Sequence, residues 1–447
     1  MDEPNTIKST LGLGTVSSAP DAGEQTAATT QDVITVARQD DSFRFDALKA
    51  WLRENEESIA EKVLADDDRL SGHALALYPA VKGGCLAVGV DCFAGGGKDA
   101  PVYLLGDTHG DFDSFVAILD WIVGNAENDA PTVYLLGDVI DRNGEGCMLE
   151  CALIMAILQK SLSEETGFAK FNGVRLGIVK GDHDIALRYP EPYAPENRFC
   201  AAVSPADYCD WLNNRLDDGG GEDATKIGRA WIRLMRECPA AAFLEHSGTL
   251  LAHGGIPRRD IQERIANGEP YLLQSDACAR DYEWCRLVDF KNKLLNRNST
   301  TSEIGWQEFD SFCKTVFPGE SSDGCGTQVR RFVFGHQHPI SGFERYTKWY
   351  DGYEVVCIAS FQKSDSLLGD TIPHFCSLAR NGDEDWQLQV YRIENPAMPD
   401  KEEAPVGVKE EPSESETTQE ADQDGVESET HGGLTENDES AVGNPAP

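Results

Sequence analysis

Five short motifs, each placed at the end of a hydrophobic run, constrain the fold of this chain more than any other part of its sequence. In chain order they are Gly106-Asp107-Thr108-His109-Gly110, Gly137-Asp138-Val139-Ile140-Asp141-Arg142, Gly181-Asp182-His183-Asp184, His253-Gly254-Gly255 and Gly335-His336-Gln337-His338. Apolar runs that end in glycine and a polar residue are typical of buried strands that lead into loops. Since α/β folds collect such loops at the edge of a sheet, we expect the motifs to meet in space.

The segments around the motifs predict a mixed α/β fold. Strands are expected at Val102–Leu105, Val133–Leu136, Val174–Val179, Ala241–Glu245, Thr249–Ala252, Arg331–Phe334 and Glu354–Ile358. A helix is expected from Phe43 to about Leu64, because apolar residues recur along one of its faces. Strands that alternate with helical patterns favour sheets covered by helices.

The two ends of the chain differ in composition from the middle. Residues 1–41 are rich in Ser, Thr, Ala and Gly, and residues 400–447 carry 15 acidic side chains and 2 lysines. Such segments contain too few apolar residues to bury a core. We therefore expect a disordered segment at 1–42, a folded domain at 43–398 and a disordered acidic tail at 399–447. The tail is a candidate for binding a regulatory partner.

Charge and hydropathy argue against several classes of partner. The formal net charge of -38 argues against nucleic acid, because binding to a phosphate backbone needs clustered Lys and Arg. No apolar run reaches the roughly 18 residues of a membrane span, and the first residues lack the order of a signal peptide. Thirteen cysteines without a paired framework favour reduced thiols, with Cys147 and Cys151 packed inside a helix. We expect an intracellular, cytoplasmic protein with no membrane partner.

The residue types in the motifs suit two metal ions that act on a phosphate ester. That reaction needs a strong nucleophile and compensation of charge on the phosphoryl oxygens, and two ions a few Å apart supply both. Such ions prefer oxygen ligands mixed with imidazoles. The motifs offer three carboxylates and four imidazoles, at Asp107, His109, Asp138, Asp182, His253, His336 and His338. Any one aspartate could be a turn or a helix cap, but five of the nine histidines lie in the motifs, which favours a metal centre.

The motif set resembles the calcineurin-like metallophosphoesterases, and most closely their serine/threonine phosphoprotein phosphatase branch. The resemblance runs from about Pro101 to Ser360, and it includes Cys238–Glu245 followed by Leu250–Pro257, which is similar to that branch's strand pair ending in His-Gly-Gly. It implies a four-layer αββα sandwich of two mixed sheets with helices outside. It also implies hydrolysis of a phosphate monoester, on a phosphorylated protein or a small phosphoester.

The resemblance implies a role for each candidate ligand. Asp107, His109 and Asp138 would hold the first ion, with His338 either as a further ligand or in a solvated role. Asp138 would bridge to the second ion, which Asp182, His253 and His336 would complete. Mn²⁺ is the expected metal, with iron and zinc as alternatives.

The resemblance also implies catalytic roles. His183 would protonate the leaving oxygen, oriented by Asp141, because an imidazole titrates near neutral pH. Arg142 would bind phosphate through two N–H groups. Trp284-Cys285-Arg286 resembles a W-x-R form of bacterial and phage members, so Arg286 is the candidate for a second phosphate-binding arginine and Arg280 is the alternative.

Two departures from the family pattern bear on metal and substrate. Asp182 stands where the family usually has asparagine, which lowers the formal charge of a centre with two divalent ions from about +2 to about +1. We expect either slower turnover or a preference for one trivalent iron. Ile358-Ala359-Ser360-Phe361-Gln362 replaces the usual S-A-P-N-Y, so the tyrosine that usually reaches the site is missing and the chain resembles bacterial members more closely.

Several alternatives stay open at the level of sequence. Residues 185–225 form either a lid that sets specificity or a structural insertion. Asp184 is expected to cap a helix beginning at Ile185. Relatives with these motifs also cleave dinucleoside polyphosphates, and a noncatalytic phosphatase-like protein that binds phosphorylated partners is a further alternative.

Overall fold

The computed structural model describes residues 33–37, 42–65, 85–88, 101–126, 130–189, 198–220, 223–288, 303–317, 328–339, 341–346, 350, 352–365, 369–380 and 385–394. The predicted acidic tail at 399–447 and residues 1–32 of the predicted N-terminal segment lie outside the described residues.

Strands and helices alternate along most of the described chain. The strands are β1 (Val33–Ala37), β2 (Leu86–Val88), β3 (Val102–Leu105), β4 (Thr132–Leu135), β5 (Arg175–Ile178), β6 (Leu187–Arg188), β7 (Cys200–Ala201), β8 (Ala241–Leu244), β9 (Thr249–Ala252), β10 (Arg286–Leu287), β11 (Glu303–Ile304), β12 (Arg331–Phe334), β13 (Phe343–Arg345), β14 (Glu354–Ile358), β15 (Lys363–Asp365), β16 (Gly369–Thr371), β17 (His374–Ala379) and β18 (Gln387–Glu394). The helices are α1 (Ser42–Ala65), α2 (Phe112–Asn125), α3 (Gly144–Leu158), α4 (Asp182–Ala186), α5 (Asp207–Arg215), α6 (Asp223–Glu237), α7 (Arg259–Ala266), α8 (Asp276–Trp284) and α9 (Trp306–Val316). Short 3-10 turns lie at Glu164–Thr166, Ala169–Gly173 and Pro270–Gln274, and a π-helical turn lies at Leu216–Gly220.

Two large sheets are formed by these strands, and both contain parallel and antiparallel pairs. The first has the order β1-β18-β17-β3-β4-β5, in which β3, β4 and β5 run parallel and β17 runs antiparallel to β3. The second has the order β13-β14-β12-β9-β8-β2, in which β9, β12 and β14 run parallel. The parallel strands are almost entirely apolar, as expected for strands that are covered on both faces.

The hydrophobic core has three layers, so the fold is the expected four-layer αββα sandwich. Between the sheets, Leu104 and Tyr134 of the first sheet pack with Leu251 and Val333 of the second. The outer face of the first sheet is covered by α1, α2, α3, α5 and α6, and that of the second by α7, α8 and α9. Each large apolar side chain buried in these layers contributes about 1.5–3 kcal/mol to the stability of the fold.

Local capping explains where the two helices next to the site begin. The carboxylate of Asp111 accepts a hydrogen bond from the Ser114 N–H at 3.2 Å at the start of α2. The side chain of Asn143 accepts one from the Gly146 N–H at 3.1 Å at the start of α3. Such caps satisfy amides that have no partner within the helix. Both helices therefore start directly after a loop that carries a motif.

The folded part begins earlier than the predicted boundary at residue 43. Strand β1 lies inside the predicted disordered segment and pairs in parallel with β18, from Val33 opposite Val390 to Ala37 opposite Glu394. Its partner lies at the other end of the domain, so no local sequence pattern reveals the pairing. The helix expected from Phe43 to about Leu64 is observed as α1.

Two further expectations concern cysteines and membranes. Cys147 and Cys151 are buried in α3, and neither of them forms a disulfide. In the described segments, no helix has both the length and the apolar character required to cross a bilayer.

Candidate metal centre

The ends of five strands bring the motifs together at one edge of the sandwich. The first three motifs follow β3, β4 and β5 in the first sheet, and the last two follow β9 and β12 in the second. Because each of these sets is parallel, the carboxyl ends of its strands lie on the same side. The seven candidate ligands are thereby collected between the two sheets.

The candidate ligands form two groups that share one carboxylate. The first group is Asp107, His109, Asp138 and His338, and the second is Asp138, Asp182, His253 and His336. Within each group the candidate ligand atoms all lie within 4.8 Å of one another. Each group could hold one ion, and Asp138 is placed to contact both.

In the first group, the histidines converge on the two carboxylates. His109 Nε2 lies 3.8 Å from Asp138 Oδ2 and 4.0 Å from Asp107 Oδ2. His338 Nε2 lies 2.5 Å from Asp107 Oδ2. All except His338 are buried.

In the second group, the histidines converge on Asp182 and Asp138. His253 Nε2 lies 2.9 Å from Asp182 Oδ1 and 3.3 Å from Asp138 Oδ2. His336 Nδ1 lies 3.1 Å from the same oxygen of Asp182, and its buried Nε2 has no hydrogen-bond partner among the described residues.

Backbone carbonyls orient two of the imidazoles toward the centre. His109 Nδ1–H donates to the Ile140 carbonyl and His253 Nδ1–H donates to the Leu136 carbonyl, both at 2.8 Å. Since a carbonyl can only accept, the hydrogen of each neutral ring lies on Nδ1 and the lone pair on Nε2 faces the carboxylates. Metal-binding histidines are usually fixed in this way. The donor set therefore fits cations.

Burial of the carboxylate shared by the two groups makes a cation favourable at this place. Burial, together with the charge of Asp182, raises the pKa of Asp138 to about 7. The elevated pKa shows that the charged form of this carboxyl is costly without compensation. A divalent cation supplies such compensation.

Several residues of the site have a positive backbone angle φ, which residues other than glycine rarely adopt. Seven of the described non-glycine residues have a positive φ, and all of them except Lys160 belong to the site. The six site residues with positive φ are His109 (49°), Asp138 (52°), Asp141 (73°), Arg142 (74°), His336 (62°) and His338 (42°). Strain of this kind is typical of functional sites, where the surrounding structure holds it in place.

Asp184 joins the loops after β4 and β5 and caps helix α4 from within its first turn, through the Gly181 N–H. Its Oδ2 accepts hydrogen bonds from the N–H groups of Asp138 at 2.8 Å and Gly181 at 3.1 Å, and its Oδ1 accepts one from Val139 at 3.2 Å. Helix α4 begins before Asp184, so the expected helix start at Ile185 was wrong. A Cβ on Gly181 would lie 2.2 Å from Asp138 Oδ1, so only glycine allows the two loops to approach this closely.

A second buried acid, Glu150, is hydrogen-bonded to the first motif. It lies in α3, and its Oε2 accepts a hydrogen bond from Thr108 Oγ1 at 2.6 Å. Burial raises the pKa of Glu150 well above its usual value. Glu150 was not among the predicted site residues, although a single acid within the apolar run of α3 is a signal for such a role.

His183 is held at both its side chain and its backbone. Its Nδ1 lies 2.6 Å from Asp141 Oδ2, and its N–H donates to Asp138 Oδ1 at 3.0 Å. Burial lowers the pKa of the ring, but the hydrogen bond to Asp141 and the nearby carboxylates outweigh it and raise the pKa to about 9. The protonated imidazolium is therefore the favoured form near neutral pH.

The described part of the 185–225 insertion has a structural role in this arrangement. The N–H of Tyr208, in α5, donates to Asp141 Oδ1 at 3.1 Å, and its ring belongs to the core beside α3. This contact holds the carboxylate that in turn holds His183. Residues 190–197 lie outside the described residues, so a lid there stays a prediction.

Arg142 lies next to the first ligand group and contacts Phe361, which was not predicted to belong to the site. Its Nη2 donates to His338 Nδ1 at 3.2 Å, and its guanidinium lies 5.6 Å from the ring centroid of Phe361. Because Arg142 donates to Nδ1, the hydrogen of a neutral His338 lies on Nε2, the nitrogen that faces Asp107. Neither ring nitrogen then has a lone pair available for a metal ion, so a ligand role for His338 stays a prediction. The Phe361 ring also lies 5.2 Å from the rings of His109 and His338.

Arg286 lies in β10, which is fixed beside the last motif. Gln337 accepts a hydrogen bond from the Leu287 N–H at 2.7 Å and donates one to the Leu287 carbonyl at 2.9 Å. Burial is the main cause that lowers the pKa of His336, and the charge of Arg286 contributes a smaller decrease. Arg286 and Arg280 are both exposed, and the charge of Arg286 reaches the second ligand group.

Comparisons with known proteins give one family match and several similar solved structures. The model of the calcineurin-like phosphoesterase family matches residues 100–340, which is more than half of the chain and includes the five motifs. A protein serine/threonine phosphatase from Saccharomyces cerevisiae with similarity to human phosphatase PP5 is 14% identical, with a TM-score of 0.46, covering 76% of this chain and 91% of that one. A putative diadenosine tetraphosphatase is 12% identical, with a TM-score of 0.31, covering 70% of this chain and 99% of that one. The cold-active protein-tyrosine phosphatase of a Shewanella species is 17% identical, with a TM-score of 0.35 and coverage of 66% and 78%. None of the curated proteins compared with the chain is a significant match.

Proposed function

Because the chain belongs to the calcineurin-like phosphoesterase family, and so is a phosphoester hydrolase, we propose that it acts on phosphate monoesters in the manner of serine/threonine phosphoprotein phosphatases. The observation that carries this proposal is the shared position of Asp138 in two adjoining ligand groups. His183 and Arg142 beside those groups supply the other side chains that the reaction needs.

The residues of the two groups would hold two metal ions, with Mn²⁺ as the first candidate and iron or zinc as alternatives. Asp107, His109 and Asp138 would hold one ion, with His338 as a further ligand. Asp182, His253 and His336 would hold the other together with Asp138. Two bound ions supply Lewis-acid activation and charge neutralisation for phosphoryl transfer.

The remaining side chains bind the phosphoryl group and move a proton. Arg142 presents N–H donors beside the first group, and its buried Nε has no partner among the described residues, which suits it to bind an anionic oxygen. Arg286 would contribute a second positive charge from β10. His183 keeps its Nδ1 on Asp141, so its Nε2 is free to donate a proton to the leaving oxygen.

A comparison of three substrates tests the proposed activity. With Mn²⁺ present, we expect the chain to release phosphate from an aryl phosphate and from a phosphoserine peptide, and to lose both activities when EDTA is added. We expect slower cleavage of a diadenosine polyphosphate. Faster cleavage of the dinucleotide would instead support the alternative of a dinucleoside polyphosphate hydrolase. No hydrolysis of any of the three would support a noncatalytic binding protein.

The Asp182→Asn variant tests the charge of the second ligand group. Removing one negative charge should weaken metal binding by roughly ten- to hundredfold, and it should raise kcat for an aryl phosphate when metal is saturating. It should also lower the share of iron that the purified protein holds. The protein is purified from cells grown with both iron and manganese, and its metal content and steady-state kinetics measure these effects. Unchanged metal preference and an unchanged rate would contradict the proposal.

A further inference from the structure

A short segment after β14 is fixed rigidly against the first motif. The Ser360 N–H donates to the Asp107 carbonyl at 2.8 Å, and Ser360 Oγ accepts from the Gly106 N–H at 2.9 Å. Two residues later, the Gln362 N–H donates to Asp111 Oδ2 at 2.6 Å. The residue between these anchors, Phe361, is therefore held in one place.

The ring of Phe361 lies beside the first ligand group. It is buried, with 2% of its surface exposed. One neighbour is the guanidinium of Arg142, 5.6 Å from the ring centroid, and the others are the rings of His109 and His338. Phe361 thus contacts the phosphate-binding arginine and two histidines of the first ligand group.

A ring face can hold a guanidinium without occupying its hydrogen-bond donors. The attraction between a cation and a ring face needs no N–H group to point at an acceptor. Arg142 uses one donor on His338, and its buried Nε has no partner among the described residues. The side chain is therefore fixed in place while donors remain for an anionic oxygen.

We propose that Phe361 is a positioning residue that holds Arg142 for the phosphoryl group and thereby sets the affinity of the site for phosphate. The proposal rests on the proposed phosphatase function. Phe361 has no polar group of its own, so it cannot bind the phosphoryl group directly and acts through the side chains that it contacts, above all Arg142.

The decisive variants change the ring face while keeping an apolar side chain. Phe361→Leu removes the ring, and Phe361→Met does the same with a flexible side chain that fills the space if the leucine variant does not fold. Phe361→Tyr keeps the face and should restore binding. Phe375→Leu is a matched control, because Phe375 is equally buried but stacks on Tyr391 in the first sheet.

The readout is the affinity for orthophosphate, measured by calorimetry on the full chain with Mn²⁺ and as a competitive inhibition constant. We expect Phe361→Leu and Phe361→Met to weaken orthophosphate binding roughly three- to thirtyfold, with metal content unchanged. Phe361→Tyr should bind as the parent does. Phe375→Leu should lower the melting temperature without changing phosphate affinity.

A double-mutant cycle with Arg142→Ala separates positioning from a general loss of structure. If Phe361 acts through Arg142, Phe361→Leu should cause no further loss in the Arg142→Ala background. An equal loss in both backgrounds, or no loss in the parent background, would overturn the inference while leaving the phosphatase function intact. A parent protein that neither binds orthophosphate nor hydrolyses an aryl phosphate would overturn the proposed function, and this inference with it.

Discussion

Replacing His183 with asparagine is expected to lower kcat by roughly 10²- to 10⁴-fold, the range associated with loss of a general acid. The side chain belongs to neither ligand group, so the metal content should stay at the parent level. Its Nδ1 is fixed 2.6 Å from Asp141 Oδ2, which leaves Nε2 as the only ring atom that can reach a leaving oxygen. The loss should therefore concern proton donation and little else.

The dependence on the leaving group makes this test specific. An ester whose leaving group is strongly acidic needs little protonation, so the deficit of His183→Asn should shrink for such an ester and be largest for an alkyl phosphate. Asp141→Asn is the matched control, since it keeps the ring but weakens its orientation, and it should cause a smaller loss. Equal activity of His183→Asn and the parent on an alkyl phosphate would refute the assignment.

Replacing Asp138 with asparagine is expected to remove metal from both ligand groups, because this carboxylate belongs to each. Bound metal should fall from about two ions per chain to below about one, and activity should fall to that of the chelated parent. Metal analysis after gel filtration and steady-state kinetics measure the two effects. Asp141→Asn, which lies outside both groups, should retain its metal under the same conditions.

The same substitution should change how the stability of the metal-free protein depends on pH. Burial raises the pKa of Asp138 from 3.8 to about 7, so the folded state holds a proton that the unfolded state has released. For such a group, stability is fully present below pH 3.8 and declines as the pH rises toward about 7. The chelated Asp138→Asn variant should lack this part of the decline and melt at a higher temperature than the chelated parent near pH 8. An identical pH profile for both proteins would contradict this account.

Much of the fold and of the metal centre could be predicted from sequence because their signals are local. Strands β3, β9, β12 and β14 were predicted with their observed bounds, since each is a short apolar run that ends at a turn or a motif. Parallel pairing then places the residues that follow them at one edge. The seven candidate ligands could therefore be expected at one edge of the fold, and the resemblance to the family implied how they divide into two groups.

The remainder depends on contacts between distant parts of the chain. Strand β1 is defined by its partner β18, and the motif-linking role of Asp184 depends on amides of another loop. The position of Phe361 beside Arg142 follows from anchors on two earlier segments. No periodicity or residue spacing encodes such contacts, because each is fixed only when the sheets come together.

The positive backbone angles of the site have a consequence for the evolution of the chain. Each such position costs about 1–3 kcal/mol, and, apart from Lys160, the cost among the described non-glycine residues falls on the candidate site. Glycine at any of them would relax the chain and make it more heat-resistant, provided nothing else depended on the side chain. Selection for heat resistance alone would therefore favour glycine at these positions, so the candidate ligands and the stability of the chain make opposing demands on the same stretch of backbone.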